Sequence, residues 1–243
     1  MPLNLPIVIT LSRIAATPVI ATLVFSTGWV PRFTAWLLFL AAAVTDYFDG
    51  KLARERGLVT SLGKQLDPLA DKLLLVATLV PMYWLTRHVD LLAALPPTNA
   101  WAAGSTIGPV AAGSGVAYPF VTPLGLVGLP LWILGIVLGR EVFMTLFRQY
   151  AARKGVVIAS IGPAKWKTGF QLTWVGAAFF WFFASDAAAE HRWTNGAWHA
   201  FALFNGIVGT VSMIVAVALT LYSLWLYLQR YGDLVLKGDG VAG

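Results

Sequence analysis

The feature that most constrains this chain is the recurrence of apolar runs long enough to cross a bilayer. A spanning helix needs about 20 mostly apolar residues. Six such runs can be marked, from about Leu5 to Phe25, Phe33 to Asp49, Leu66 to Leu85, Leu124 to Phe147, Thr168 to Phe183 and Ala200 to Tyr227. Charged residues make up 12% of the 243 residues, about half the share in average soluble domains. Most of the surface therefore has no means of facing water. A soluble enzyme, a secreted scaffold and a disordered tail are excluded, and the absence of cysteine removes disulfides, thiolate nucleophiles and Cys-based zinc sites. The expected fold is all-α: a polytopic membrane protein with six transmembrane helices in a single domain over residues 1–243. The first run is not expected to be a cleaved signal peptide, because no basic segment precedes it and Arg13 interrupts it.

The distribution of Lys and Arg sets the expected orientation. Lys51, Arg54, Arg56, Lys64 and Lys72 surround the second connection, Arg148, Arg153, Lys154, Lys165 and Lys167 the fourth, and Arg230 and Lys237 follow the last run. Only Arg32, Arg87 and Arg192 fall on the other side. The positive-inside rule then places both termini and the connections Lys51–Lys64 and Tyr150–Lys165 in the cytoplasm. The formal charge of +6 is thus read as a membrane anchor, with the lipid bilayer and no nucleic acid as partner. Trp29, Trp84 and Trp193 suit the opposite interface. Residues 96–123, rich in Gly, Ala, Ser, Thr and Pro, read as an external loop of the kind surfaces tolerate.

Chemistry concentrates around the second connection. Asp46 and Asp49 are three apart at the end of the second run, and Asp67 and Asp71 four apart at the start of the third. Each spacing puts both carboxylates on one helix face. Two antiparallel helices can bring all four together at the membrane boundary, where their repulsion demands cations. Hard oxygen ligands suit Mg²⁺ or Mn²⁺, and two divalent ions per site would cancel four charges and serve displacement at phosphorus. Gly50 and Ala53 offer little side chain where a nucleotide could approach the backbone. Gly63 could do the same or allow close packing, and Arg54 can pair bidentately with phosphate. Taken singly, Asp67-Pro68 is also a good helix N-cap, Gly50 a packing residue and Asp46 a partner for lysine. As a set they are poorly explained as caps.

The pattern D-x2-D-G-x2-A-R-x8-G-x3-D-x3-D from Asp46 to Asp71 resembles the signature of the CDP-alcohol phosphatidyltransferase family, without a substitution. The resemblance implies a six-helix membrane fold, usually a homodimer, in which a CDP-linked lipid donates a phosphatidyl group to an alcohol and releases CMP. It implies that Asp46, Asp49, Asp67 and Asp71 hold two divalent ions, that Asp71 is also the base, and that Gly50, Arg54 and Thr60 touch the CDP group.

A second stretch bears on the acceptor. Arg140 and Arg148 are eight apart, near one face after two turns, and Lys165 and Lys167 precede the fifth run. Cations converging beside a phosphotransfer centre suit an acceptor that carries phosphate. The plainer alternatives are membrane anchors for the lysines and a buried Arg140–Glu141 ion pair. The R-E-x6-R and K-x-K-T-x2-Q patterns, ending at Gln171, look like the bacterial branch of the family that transfers from CDP-diacylglycerol to glycerol 3-phosphate. That likeness implies the bacterial cytoplasmic membrane, with the site at its inner face. The N-terminal Pro6-Ile7-Val8-Ile9-Thr10-Leu11-Ser12-Arg13 looks like that branch's P-N-x-x-T-x-x-R, with Ile7 where Asn is expected. Thr10 is then a candidate for the CDP-lipid and Arg13 for the acceptor phosphate. Rival expectations are the same chemistry on another acceptor, as in cardiolipin, phosphatidylserine or phosphatidylinositol phosphate synthases, and a cation transporter.

Overall fold

The computed structural model describes residues 5–55, 61–87, 120–158, 162–193 and 195–232. Among them lie six helices: α1 Leu5–Phe25, α2 Trp29–Glu55, α3 Ser61–Arg87, α4 Leu131–Arg153, α5 Gly162–Glu190 and α6 Gly196–Tyr231. Ile7–Phe25, Leu66–Leu85, Ala164–Glu190 and Gly196–Tyr231 are long and apolar enough to cross a bilayer. Charged residues interrupt the other two helices: Arg32 and Asp46 in α2, and Arg140, Glu141 and Arg148 in α4.

The first helix coincides with its apolar run, α2, α3, α5 and α6 outgrow theirs at both ends, and α4 is shifted along the chain. The polar ends of α2 and α3 stay helical beyond the hydrophobic stretch, which keeps each aspartate pair on one face. Because α3 begins at Ser61, Asp67 stands in its second turn and Pro68 inside it. Asp67 is therefore not an N-cap.

The start of the fourth run needs correction. Leu124 lies in a turn between two short antiparallel strands, β1 Phe120–Thr122 and β2 Gly125–Val127. Pro123 and Gly125 favour chain reversal there, and Thr122 Oγ1 accepts from the Leu124 amide at 3.3 Å. The helix begins only at Leu131, behind Pro130 as its cap. Phe120–Thr122, expected at the end of the external loop, are thus strand; residues 96–119 lie outside the described residues. Past its other end, beyond the cap Lys154, the chain turns at Gly155, whose φ of 77° suits glycine. The Val156 amide there reaches back to Ala151 O at 2.9 Å.

Helix α1 packs against α2 and α3, α2 also against α5, and α5 against α6. Trp174, Phe179 and Phe182 of α5, Phe39 of α2 and Leu79 and Met82 of α3 are fully or nearly fully buried between them. The hairpin lies in a notch on α6. A Cβ on Gly206 would stand 1.8 Å from Val121 O, and one on Gly209 would stand 1.9 Å from the Phe120 ring. Large apolar side chains such as Val19, Val76, Phe204, Ile214 and Trp225 remain exposed, as a lipid-facing surface requires.

Candidate active site

Thr10 and Arg13 are three apart on α1 and therefore share a face, which meets the aspartates of α2 and α3. Thr10 Oγ1 donates to Asp67 Oδ1 at 2.8 Å. One turn on, Arg13 Nη1 donates to Asp71 Oδ1 at 3.2 Å and also to Asp46 Oδ1. One guanidinium nitrogen thus ties α1, α2 and α3 together. The Arg13 side chain is 1% exposed, whereas those of Asp46 and Asp71 are 46% and 58% exposed. The cation comes from inside the bundle, and the carboxylates open outward.

Asp49 follows Asp46 by one turn within α2. Its side chain, and those of Ala53 and Arg54, lie outside the described ones, as do the surroundings of Gly50 and the whole of Thr60. Gly63 sits in the first turn of α3, ahead of Asp67. Among the described residues no three His, Asp or Glu side chains form a metal centre by themselves. The donor set does fit one: carboxylate oxygens from two helices converge on a single positive charge, which is what a hard divalent ion needs.

A cleft runs from these carboxylates into the bundle. Arg13, Asp46, Asp71 and Lys72 line one side, Glu141, Lys167, Thr168 and Gln171 the other, and Phe39, Leu75 and Val175 are among its apolar lining. Glu141 Oε1 accepts from Arg140 Nη1 at 2.8 Å and from Lys167 Nζ. Arg140 and Lys167 are both buried, so Glu141 supplies the charge that makes their burial tolerable.

The other expected acceptor residues separate. Arg140 Nη2 reaches Ser223 Oγ at 3.3 Å, and the Arg148 guanidinium lies over the Tyr227 ring with Nη2 3.4 Å from its hydroxyl. Both arginines face α6, and neither lines the cleft. Lys165 is exposed and also absent from the lining; positions two apart on a helix do not share a face. Arg13 lines the cleft but spends its bonds on aspartates.

Several contributors were not singled out as site residues from the sequence. Glu141 had a usable signal, a carboxylate beside an arginine in the middle of an apolar run. Lys72 and Gln171 lie one residue after Asp71 and four after Lys167, close to residues already marked. Ser223 and Tyr227 carried no signal, since they lie in an ordinary apolar helix beyond the last recognisable pattern.

Comparison with known proteins identifies the family. The family described as CDP-alcohol phosphatidyltransferase matches residues 3–226. An Arabidopsis thaliana protein named CDP-diacylglycerol–glycerol-3-phosphate 3-phosphatidyltransferase 1, chloroplastic/mitochondrial, is 29% identical over 97% of this chain and 65% of its own length. A Rickettsia bellii protein named CDP-diacylglycerol–glycerol-3-phosphate 3-phosphatidyltransferase is 48% identical over 32% of this chain and 42% of its own. An Oryza sativa protein named cardiolipin synthase (CMP-forming) is 32% identical over 70% of this chain and 44% of its own. The chain thus spans just under two thirds of the first relative and less than half of the other two. With nearly its whole length matched, this chain belongs to the CDP-alcohol phosphatidyltransferase family.

Proposed function

We propose that the protein transfers the phosphatidyl group of CDP-diacylglycerol to glycerol 3-phosphate, giving phosphatidylglycerolphosphate and CMP. The observation that carries this reading is the single cleft joining the Asp46–Asp71 carboxylates to Lys167 and Glu141. A phosphotransfer site and a phosphate-holding cation then face each other across one space.

Asp46, Asp49, Asp67 and Asp71 would hold two Mg²⁺ or Mn²⁺ ions, which supply Lewis-acid stabilisation of charge at the reacting phosphates. Asp71, more open than Asp46, takes the proton from the acceptor's primary hydroxyl. That oxygen attacks the phosphorus bearing diacylglycerol, and the bond to CMP breaks. Lys167 holds the acceptor phosphate close by, with Arg140 positioned through Glu141, so that the charges act by orientation. Arg148 and Lys165 add positive potential from the flank. Gly50, Ala53 and Gly63 leave room for the nucleotide, which Thr10, Arg54 and Thr60 contact.

All six helices span the bilayer in this reading, with both termini and the cleft at the cytoplasmic face of a bacterial inner membrane. The twelve Lys and Arg on that side support it, and a homodimer comes with the family resemblance. The carboxylates stand at one end of the bundle, and this disfavours a cation transporter, whose sites lie near the midplane.

The test is product identity by mass after incubating the purified protein with CDP-diacylglycerol and a mixture of glycerol 3-phosphate, phosphatidylglycerol, serine and inositol phosphate. Phosphatidylglycerolphosphate as the main product supports the assignment. Cardiolipin, to which the Oryza relative's name points, or any other main product, would overturn the choice of acceptor.

A further inference from the structure

We infer that Arg13 is the resident counter-cation of the aspartate site: its guanidinium neutralises Asp46 and Asp71 in the ion-free protein and yields them when a divalent ion loads. The inference rests on the metal-binding reading above and assigns Arg13 to controlling that site rather than to gripping the acceptor.

Charge and burial both argue for it. Asp46, Asp67 and Asp71 bring three negative charges, and Thr10 meets Asp67 only with a neutral hydroxyl. Arg13 bonds to the other two with a full positive charge. Half-exposed carboxylates held together in this way remain open to a further cation. Arginine keeps its proton at any physiological pH, so it cannot stop competing by becoming neutral; it has to move. The geometry allows this, because Arg13 approaches from the buried side while the outer faces of Asp46 and Asp71 open to the cleft. A divalent ion entering from the cleft meets carboxylates already drawn together, and it gains them at the expense of one guanidinium. Arg13 then faces a cleft in which the donor's diphosphate is the available anion. By this account Arg13 weakens metal affinity, holds the empty site closed, and is a positioning residue.

The test uses the full chain in lipid nanodiscs, with Mn²⁺ binding read by electron paramagnetic resonance and melting followed in EDTA and in Mg²⁺. For Arg13→Gln the expected result is about tenfold tighter Mn²⁺ binding, since a positive charge beside the ion is gone. Its melting temperature should fall in EDTA and recover in Mg²⁺, while Arg13→Lys should bind Mn²⁺ much as the wild type does. A purely structural arginine would lower melting equally in both conditions and leave Mn²⁺ affinity unchanged or weaker, and that result overturns the inference. A second measurement needs no variant. Phenylglyoxal labelling of wild-type Arg13, located by mass spectrometry, should be faster in Mg²⁺ than in EDTA, and equal labelling overturns the inference. Wild-type protein that binds no Mn²⁺ would bring down the metal reading itself, whereas binding indifferent to Arg13 would remove only the inference.

Discussion

A buried arginine stands at each end of the bundle, and the two are surrounded very differently. Arg13 shares one nitrogen between two half-exposed aspartates at the mouth of a cleft. Arg32, near the start of α2, donates to Asp186 near the end of α5 at 2.7 Å and lies 3.4 Å from Val24 O at the end of α1. Asp186 is 22% exposed, and the neighbouring faces of α2 and α5 are aromatic: the Phe33 and Phe183 rings lie 5.0 Å apart and Trp36 and Phe180 5.2 Å. One arginine for one carboxylate, packed under rings, is a closed balance and locks helices. One arginine shared by two half-exposed carboxylates leaves their outer oxygens open to a cleft. Access to the carboxylates, more than the presence of an ion pair, separates a site from a fastening.

The largest effect should come from breaking the open end. Asp71→Asn should lower kcat about 10³-fold, within the range for loss of a positioned base, with melting little changed; CMP release and a thermal melt read both. Next comes the closed end, where Asp186→Ala leaves Arg32 buried without its carboxylate and should cost about 3–5 kcal/mol of stability. Activity per folded molecule should then stay near wild type. Asp46→Asn should cost less stability than that, because Asp71 still accepts from Arg13.

A smaller difference is expected inside the cleft. Lys167→Ala should raise the KM for glycerol 3-phosphate about tenfold or more, in line with losing a charged hydrogen bond, and the KM for CDP-diacylglycerol much less. Lys165→Ala should move the acceptor KM less than Lys167→Ala does; equal effects from the two would contradict the separation of their faces. An effect on stability alone is expected from Gly206→Ala, where the new methyl collides with Val121 O. It should cost about 1–3 kcal/mol of stability and leave both KM values unchanged.

How much of this was legible beforehand depended on whether the information was local. Helix α1 coincides with its apolar run because hydrophobicity and helix end together there. Elsewhere hydropathy marks where lipid-compatible surface stops, not where hydrogen bonding stops, so Asp67 lies deeper inside α3 than its cap-like Asp-Pro sequence suggests. The start of α4 was misplaced because Phe120–Val127 is as apolar as a span, and only Pro123 and Gly125 betray the turn. The aspartate spacings were readable, since periodicity alone puts each pair on a face. That Arg13 pairs with Asp46 and Asp71 instead of joining the acceptor cations was not, because it depends on how three helices pack. The same holds for Ser223 and Tyr227, whose partners lie on another helix.

The central claim is that one cleft couples divalent-ion-bound aspartates to a phosphate-carrying acceptor. Its most direct test is CMP release from CDP-diacylglycerol by purified protein in nanodiscs, with and without EDTA and glycerol 3-phosphate. Release that stops in EDTA, returns with Mg²⁺ or Mn²⁺, depends on the acceptor and is lost in the Asp46→Asn/Asp71→Asn double variant is the predicted result. Acceptor-dependent release that continues in EDTA or in that double variant would contradict it.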